Sequence, residues 1–289
     1  MAPVTERPLE SGWLPDTPVE DTLLRRFVHN QAEVNAEMAG ALGGRADRTD
    51  DVFLADAASP VPYFNQAIPA RPLAGLDDPV LDVIDRFFET GGHPATVLSI
   101  WPTRDLSTRG WSLIGHPAVV VRAPGPTSYE PPPGLAVRVA TSPEVFAAAE
   151  RVAVDGYPLH GARDLPMGSV FPPSLADTGL VVRLGLLHGE AVGVGNRFTG
   201  HGLVNLCLAA TLPAARRRGV WEALVWSRVL DAPDLPAIAY TSDDSRPGFI
   251  RMGFLPITRF TLWERPGRPF LGERRFGGTA GACPGSPPL

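Results

Sequence analysis

The stretch that decides the fold is Leu208-Ala-Ala-Thr-Leu-Pro-Ala-Ala-Arg-Arg-Arg-Gly-Val-Trp-Glu-Ala-Leu224. Its apolar start predicts the end of a strand, and after Gly219 its apolar residues recur at helical spacing as far as Val229. The first N–H groups of a helix lack partners within it and the helix dipole is positive there, so an anion can bind at this point. Gly219 leaves room for the ligand, and three arginines add charged donors. The alternative is a surface helix with a solvated basic start.

The residues around this stretch predict the order β-α-β-β-β-α-β-α-β. The predicted strands cover 135–140, 180–187, 191–198, 203–210, 237–241 and 255–264, the last as one strand or two. The predicted helices cover 143–154, 219–230 and 246–252, and a long loop covers 155–177. A mostly antiparallel meander that leads into a β-α-β unit is an α+β arrangement, not a doubly wound sheet.

Proline-rich punctuation divides the chain at Pro124-Gly-Pro-Thr-Ser-Tyr-Glu-Pro-Pro-Pro-Gly134, which cannot continue a helix or a central strand. The composition after 266 is rich in Gly, Pro and Arg. The predicted units are an N-terminal domain at 1–124, a linker at 125–134, a second domain at 135–266 and a flexible tail at 267–289.

The N-terminal half predicts a degenerate partial copy of the C-terminal half. Phe64–Pro69 aligns with Leu208–Pro213, a helix follows at 79–90, and Arg109-Gly-Trp111 matches Met252-Gly-Phe254. Chance similarity of two α/β segments is the alternative. The copy has no arginine-rich glycine loop, and Asp77-Asp78 at its helix start would repel phosphate.

Composition narrows the class of protein. The chain has 289 residues and a net charge of −5, which argues against a nucleic-acid-binding protein, because phosphate binding favours a basic face. There is no lysine, and the 30 glycines and 32 prolines fit a GC-rich bacterial genome. The two cysteines and six histidines show no spacing for a metal, so we expect no metal site.

The beginning of the chain shows no apolar segment of the kind that signal peptides carry. No apolar stretch is long enough to cross a membrane as a helix. These features lead us to expect a cytoplasmic protein without a membrane partner.

Three segments of the C-terminal half carry a family resemblance. The central loop reads Arg216-Arg-Arg-Gly219-Val-Trp221, it follows Ala210-Thr-Leu-Pro-Ala-Ala, and Phe249-Ile-Arg-Met-Gly253-Phe254 stands further on. They are similar to the Arg/Gln-x-x-Gly-x-Gly/Ala signature, the preceding strand-x-Pro segment and the later Tyr-x-x-x-Gly-Phe segment of the GCN5-related N-acetyltransferases. Over residues 135–266 the chain resembles this family, in a tandem arrangement with a degenerate N-terminal half.

The resemblance implies one acyl-CoA, with acetyl-CoA as the default, in the C-terminal half and none in the N-terminal half. The strand end near Ala209 would splay from its neighbour and bind pantetheine and the acyl carbonyl, while amides after Arg216 would hold the pyrophosphate. The implied cofactor-binding residues are Ala209, Ala210, Thr211, Arg216, Arg217, Arg218, Gly219, Val220, Trp221, Glu222 and Phe249. An amine would then attack the thioester directly.

Two positions depart from the family pattern. Trp221 stands where Gly or Ala is usual, so its side chain must point away from the pyrophosphate or narrow the site. Phe249 replaces the tyrosine that often acts as general acid, and a phenyl ring cannot protonate a thiolate. Ser245 is our candidate for that proton, with Ser242, Tyr240 or water as alternatives, unless coenzyme A leaves as the thiolate.

The loop at 155–177 is expected to line the acceptor side. Tyr157 and His160 are candidate catalytic residues there, because a histidine can accept the amine proton near neutral pH. Asp155 and Asp164 could attract a cationic amine. Solvated loop residues are the alternative for all four.

Several other residues have both a functional and a structural interpretation. Asn205 could bind a substrate or cap a bulge, and Cys207 has no predicted His or Asp partner that would activate it as a nucleophile. The candidate residues for a wall of the acceptor cleft in the N-terminal half are Tyr63, Phe64, Trp101 and Trp111. Packing in the core is the alternative for each.

These observations favour an acyl-CoA-dependent N-acyltransferase that modifies a small-molecule amine, as a monomer or homodimer. A non-catalytic acyl-CoA-binding or regulatory protein is one alternative, suggested by Phe249. Another acyl-CoA reaction on the same fold, such as decarboxylation, is a second.

Overall fold

Two mixed β-sheets with a helix packed between them form the core, as the predicted α+β class requires. The computed structural model describes residues 22–125, 127–157 and 159–267. The helices are α1 (Leu23–Ala41), α2 (Pro79–Gly91), α3 (Pro143–Gly156), α4 (Val220–Val229) and α5 (Arg246–Arg251). The strands are β1 (Arg45–Arg48), β2 (Val52–Asp56), β3 (Asn65–Pro69), β4 (Ala95–Ser99), β5 (Ser112–Gly115), β6 (Ala118–Arg122), β7 (Leu135–Val139), β8 (Leu180–Leu187), β9 (Glu190–Gly200), β10 (Leu203–Asn205), β11 (Ala209–Thr211), β12 (Ala237–Thr241), β13 (Leu255–Arg259) and β14 (Thr261–Arg265).

The elements predicted for the C-terminal half are present in the predicted order, with two differences. The strand expected at 203–210 is broken into β10 and β11. The strand or strand pair expected at 255–264 is a pair, and its two members lie in different sheets. The loop at 155–177 contains two short 3-10 turns, at His160–Ala162 and Pro173–Asp177.

Each half of the chain contributes one strand to the sheet of the other half. The first sheet has the order β1-β2-β3-β4-β14-β5, and the second has the order β7-β8-β9-β10-β12-β6-β13. Thus β14 completes the N-terminal sheet, and β6 lies inside the C-terminal one. The six strands from β1 to β5 in the first sheet and the six from β8 to β13 in the second follow the same order, which is what a duplication would produce. The duplication and the domain division at 125–134 stay predictions.

Helix α1 lies between the sheets and was not predicted from the sequence. Thr22 caps its start by accepting a hydrogen bond from Arg25 N at 3.1 Å. One side of the helix packs with the α3 side of the second sheet through Val34 and Met38. Another side, with Phe27, packs against residues of both sheets. This two-sided burial explains why a simple amphipathic pattern does not mark the helix.

A chain of buried amides runs through α1 and joins the two sheets. Asn205 Nδ2 on β10 donates to Gln31 Oε1 at 3.0 Å, and Gln31 Nε2 donates to Asn35 Oδ1 at 3.0 Å. Asn35 Nδ2 donates to Gln66 Oε1 on β3 at 2.9 Å, and Gln66 Nε2 donates to Thr96 Oγ1 on β4 at 3.1 Å. All five residues are buried, so each donor depends on the next acceptor.

A carboxylate caps the start of helix α2 in the N-terminal half and accepts hydrogen bonds from nearby backbone amides. Asp78 accepts hydrogen bonds from Ala74 N at 2.8 Å and Val80 N at 3.0 Å, and it pairs with Arg71 Nη1 at 2.8 Å. The hydrogen bonds from Arg71, assisted by those of the two amides, lower the pKa of Asp78 to about 2. The start of α2 therefore carries a built-in anion.

The predicted tail from 268 onward lies outside the described residues. Within the part of the chain that the structure describes, no helix is both long and apolar enough to cross a membrane.

We predict that Gln31→Leu lowers the free energy of unfolding by about 2 kcal/mol or more, because Asn205 Nδ2 and Asn35 Oδ1 lose buried partners. Urea unfolding followed by circular dichroism measures this. Glu33→Gln, on an exposed site of the same helix, is the control and should change stability by less than about 0.5 kcal/mol. Equal stability of the two variants would show that the amide chain is unimportant.

We predict that Asp78→Asn destabilises the protein at pH 7 by about 1–2 kcal/mol, through loss of the charge-assisted bonds to Arg71. The folded pKa of about 2 lies below the unfolded value of 3.8, so the carboxylate stabilises the fold above pH 4 and this contribution is lost as pH falls towards 2. Urea unfolding at pH 7, 4 and 3 should therefore show a shrinking difference from wild type. Exposed Asp77→Asn is the control, and a difference independent of pH would exclude the ion pair as its source.

Candidate functional site

A gap between β11 and the end of β12 is the centre of the candidate site. β10 pairs in parallel with β12, and the last bond between these segments runs from Leu206 N to Ile238 O at 2.8 Å. Beyond it, β11 pairs with β9, whereas β12 continues beside β6. The strand end at 209–211 is thus separated from β12, which is the splayed arrangement predicted for it.

A β-bulge produces this separation. Asn196 N on β9 donates to both Cys207 O and Leu208 O at 3.0 Å, so two residues of one strand face one residue of its neighbour. Leu208 has a φ of 27°, an unusual value for a leucine. The chain turns at this point and carries β11 away from β12.

The loop before α4 presents backbone N–H groups and cations on the surface. Arg217 and Gly219 have positive φ values of 61° and 80°, and the first N–H bonded within this end of the helix is that of Ala223, to Gly219 O at 2.9 Å. The amides at 220–222 therefore lack helical partners. Arg217 and Arg218 are exposed and form no ion pair with any described residue.

Arg216 differs from the next two arginines because its side chain is engaged within the protein. Its Nε donates to Thr211 O, and its Nη2 donates to Gly156 O, both at 3.3 Å. These bonds join the end of β11 to the end of α3. Arg216 therefore supports the shape of the gap as well as adding charge to the loop.

The backbone conformation of Gly219 favours glycine, and its surroundings are tight. A Cβ atom placed on it would lie 3.0 Å from Pro132 Cγ, so the proline-rich segment predicted as a linker lies against the loop. Nearby, the ring of Tyr129 stacks on Trp226 of α4 at a centroid distance of 6.1 Å. The segment thus lies along α4 and borders the candidate anion site.

The two residues that depart from the family pattern are in contact with each other. The rings of Trp221 and Phe249 meet edge to face at a centroid distance of 4.9 Å, and a Cβ on Gly248 would lie 2.5 Å from Trp221 Cζ3. Trp221 therefore points towards α5, one of the two possibilities raised above. Phe249 is only 5% exposed and also contacts Phe254, so it is part of the core between α4 and α5.

Ser245 lies at the start of α5, where it bonds to its own turn. Its Oγ is 3.1 Å from Ser242 Oγ and donates to Ser242 O at 3.2 Å. It is half-buried, whereas Ser242 is exposed. The hydroxyls can pass a proton between them, and their role as the general acid stays a prediction.

Three tyrosines meet on the face of the gap that looks towards α1. The rings of Tyr63 and Tyr157 are 6.5 Å apart at an angle of 76°. Burial, Tyr157 and the carboxylate of Glu264 together raise the pKa of Tyr63 to about 12. Burial raises the pKa of Tyr240 as well, assisted by its electrostatic interactions with Tyr157, Cys207 and Tyr63. The cluster combines residues from both halves of the chain.

Part of this cluster was predicted from the sequence. Tyr63 was a candidate for the cleft wall and Tyr157 for catalysis, but Glu264 was not singled out. Glu264 reaches this position because β14 lies in the N-terminal sheet, next to β4. No local sequence pattern predicts such a strand exchange.

The other wall candidates lie elsewhere. Phe64 is buried in the main core, and Trp111 packs with α2 on the outer face of the first sheet, where its Nε1 donates to Asp85 Oδ1 at 3.1 Å. Trp101 is half-buried just after β4. Of the four residues, Tyr63 has the contacts expected of a wall.

The loop at 155–177 borders a recess of about 220 Å³ beside the end of β11. Its lining residues are Val154, Asp155, Gly156, Tyr157, Leu159, Arg163 and Arg216. Tyr157 is 37% exposed, and the partial burial of its phenol raises its pKa. The side chain of His160 lies outside the described part of the structure, so its predicted role stays a prediction.

Asn205 and Cys207 have structural surroundings. Asn205 is fully buried, and its Nδ2 donates to Gln31 Oε1 at 3.0 Å as part of the amide chain through α1. Burial raises the pKa of the Cys207 thiol to about 12, which keeps it protonated at neutral pH and unsuited to nucleophilic attack. Among the described residues, no cluster of three His, Cys, Asp or Glu side chains could hold a metal ion.

The N-terminal counterpart of the loop differs in charge. At the start of α2 the carboxylate of Asp78 takes the amides that an external anion would need. This arrangement supports the hypothesis that a single acyl-CoA binds per chain.

No protein-family model matches the chain, and no curated protein shows significant sequence similarity to it. A GCN5-related N-acetyltransferase from Kribbella flavida superimposes with a TM-score of 0.57 and 19% identity, over 82% of this chain and 96% of that one.

Two further solved structures are similar over most of their length. A putative acetyltransferase of the same family from Novosphingobium aromaticivorans has a TM-score of 0.52 and 13% identity, over 82% of this chain and 99% of that one. A conserved protein of unknown function from Staphylococcus epidermidis has a TM-score of 0.54 and 9% identity, over 77% and 93%. Together with the splayed strands and the loop before α4, these similarities show that the chain has the fold of the GCN5-related N-acetyltransferases.

Proposed function

We propose that the chain is an acyl-CoA-dependent N-acyltransferase that uses acetyl-CoA and modifies a small-molecule amine. The observation that carries this proposal is the continuity of the strand gap with the basic start of α4. A strand leaves its neighbour at Leu208, and twelve residues later the helix begins with free amides beside two arginines that pair with no described residue. An elongated thioester with a pyrophosphate at one end fits this succession of backbone groups and charge.

The donor would bind along this path in two parts. The N–H groups at 217–222 and the guanidinium groups of Arg217 and Arg218 would hold the pyrophosphate. Main-chain groups at Ala209–Thr211 would hold pantetheine and polarise the acyl carbonyl. The side chain of Trp221 points towards α5 and therefore does not itself cover the loop amides, which supports this placement.

The acceptor would approach from the tyrosine cluster on the opposite face. Tyr63 and Tyr157 have raised pKa values, so their phenols are protonated at neutral pH and would donate hydrogen bonds rather than accept the amine proton. His160 is the proposed proton acceptor. Glu264 acts electrostatically on Tyr63 and would contribute one negative charge to attract a cationic amine.

Departure of coenzyme A needs a group other than Phe249. Ser245, which bonds to Ser242, is the proposed proton donor on the side of the gap near α5. If no donor reaches the sulfur, the thiolate leaves and is protonated by water. Tyr240 stands on the α1 side of β12, so as a donor it would serve the acceptor side.

A second candidate function is acyl-CoA binding without transfer, as in a regulatory protein. The observation in its favour is Phe249, which has no acidic proton and is buried between Trp221 and Phe254. Other acyl-CoA chemistry, such as decarboxylation, would also dispense with a general acid at this position.

Two measurements decide among these functions. Acetyl-CoA should raise the melting temperature, since a ligand that binds the folded state stabilises it. Release of coenzyme A thiol across a panel of small amines should then exceed release without amine. Binding without amine-dependent thiol release would favour the regulatory protein, whereas absence of binding by any acyl-CoA would sink every version of the proposal.

We predict that the double variant Arg217→Ala/Arg218→Ala binds acetyl-CoA about 10-fold more weakly, because two charge-assisted phosphate contacts are removed. Isothermal titration calorimetry measures the dissociation constant. The melting temperature without ligand should not fall, since neither side chain has a described partner. Exposed Arg138→Ala on β7 is the matched control and should bind normally. Unchanged affinity of the double variant would place the pyrophosphate elsewhere.

A further inference from the structure

Arg228 of α4 is a buried cation without a carboxylate partner. Its exposure is 0%, and no described acidic side chain forms an ion pair with it. The neighbouring Arg183 and Arg197, on the same face of the second sheet, both pair with Asp231. Burial lowers the pKa of Arg228 to about 10, which still leaves the guanidinium charged at neutral pH.

The guanidinium is bonded instead to the carbonyls on either side of the bulge. Nη1 donates to Asn196 O at 2.9 Å and to Cys207 O at 3.4 Å, while Nε donates to Leu224 O of its own helix at 2.8 Å. Nη2 is buried and has no hydrogen-bond partner among the residues that the structure describes. A Cβ on Gly195 would lie 3.0 Å from Arg228 Cζ, so glycine at this position lets the group approach the sheet.

Burial of an unneutralised cation is costly, and the bonds that it forms here are specific. At the bulge, Cys207 O faces β9 and shares a single donor, Asn196 N, with Leu208 O, so it can accept a second hydrogen bond. Arg228 Nη1 supplies it, and the same nitrogen ties Cys207 to Asn196 across the strands. The guanidinium therefore fixes the point at which β11 departs from β12.

We propose that Arg228 is a positioning residue that holds the bulge in the shape required for the pantetheine and acyl end of the donor. This inference rests on the proposed function. The side chain acts through Cys207 and Leu208 on the main chain of Ala209–Thr211, and touches no substrate. Its effect is confined to one end of the donor, because Arg228 lies about 9 Å along α4 from Glu222, the last amide of the pyrophosphate loop.

Because the expected effect of Arg228 is limited to the pantetheine and acyl end of the donor, two ligands can test it. One is acetyl-CoA, and the other is adenosine 3′-phosphate 5′-diphosphate, the part of coenzyme A without pantetheine. In Arg228→Met, the dissociation constant of acetyl-CoA should rise about 10-fold while that of the nucleotide changes less than about 2-fold. Arg197→Met removes a cation from the same face of the sheet without touching the bulge, and should leave the ratio of the two constants unchanged.

A second variant keeps the test decisive if Arg228→Met does not fold. Arg228→Lys keeps the charge, but one ammonium group cannot reproduce the fork that spans Leu224 O and both bulge carbonyls. It should show a smaller selective loss of acetyl-CoA binding, and it decides the question if Arg228→Met does not fold. Circular dichroism and the melting temperature of each variant are recorded with the titrations.

The outcomes separate this inference from the proposed function. Selective loss of acetyl-CoA affinity in the Arg228 variants supports a positioning role. Equal weakening of both ligands, or no weakening of either, in a folded Arg228 variant overturns it. If the wild-type protein binds neither ligand, the proposed function fails and the inference falls with it.

Discussion

The chain of buried amides through α1 is the interaction on which the rest of the structure depends. It links β10 of one sheet to β3 and β4 of the other, at the core of the interface between the two halves. Apolar packing alone would hold α1 between the sheets without fixing its rotation. Directional bonds from Gln31 and Asn35 fix it, because a rotated helix would leave amides buried without partners. The face of the gap that carries the tyrosines is thereby placed at a defined distance from the N-terminal half.

The candidate site uses backbone more than side chains. The gap exists because a bulge at Cys207 and Leu208 ends the pairing of two strands, and the proposed anion site is the start of the helix that follows the departing strand. Both features are properties of main-chain geometry. Arg228 donates hydrogen bonds to carbonyls at the bulge, and Arg216 donates one to Thr211 O at the end of β11. Side chains enter mainly on the proposed acceptor face, where phenols and a carboxylate lie close together. If the proposed function is right, the donor would be held mainly by main-chain groups and the acceptor mainly by side chains.

Local signals in the sequence predicted the C-terminal elements and the loop before α4 well. The Pro213-to-Gly219 segment combines a strand end, arginines and a helix start within a few residues, so short-range reasoning suffices. It failed for α1, which is buried on two sides and lacks the usual stripe, and for Glu264, whose position depends on a strand exchange. The partner of Asn205 was not predicted for a similar reason, since Gln31 lies 174 residues away. Long-range pairing leaves no mark on a single sequence.

The exchange of β6 and β14 has a consequence for how the chain is made. On the ribosome the N-terminal sheet stays open between β4 and β5 until residues 261–265 have emerged, so nearly the whole described chain must be synthesised before either sheet closes. Such non-local pairing slows folding. If the chain were cut at the proline-rich segment, the N-terminal fragment would lack β14 and the C-terminal fragment would lack β6. The strands that flank the missing strand in each sheet would then have unpaired edges. Despite their similar plans, the two halves are bound to a single folding event.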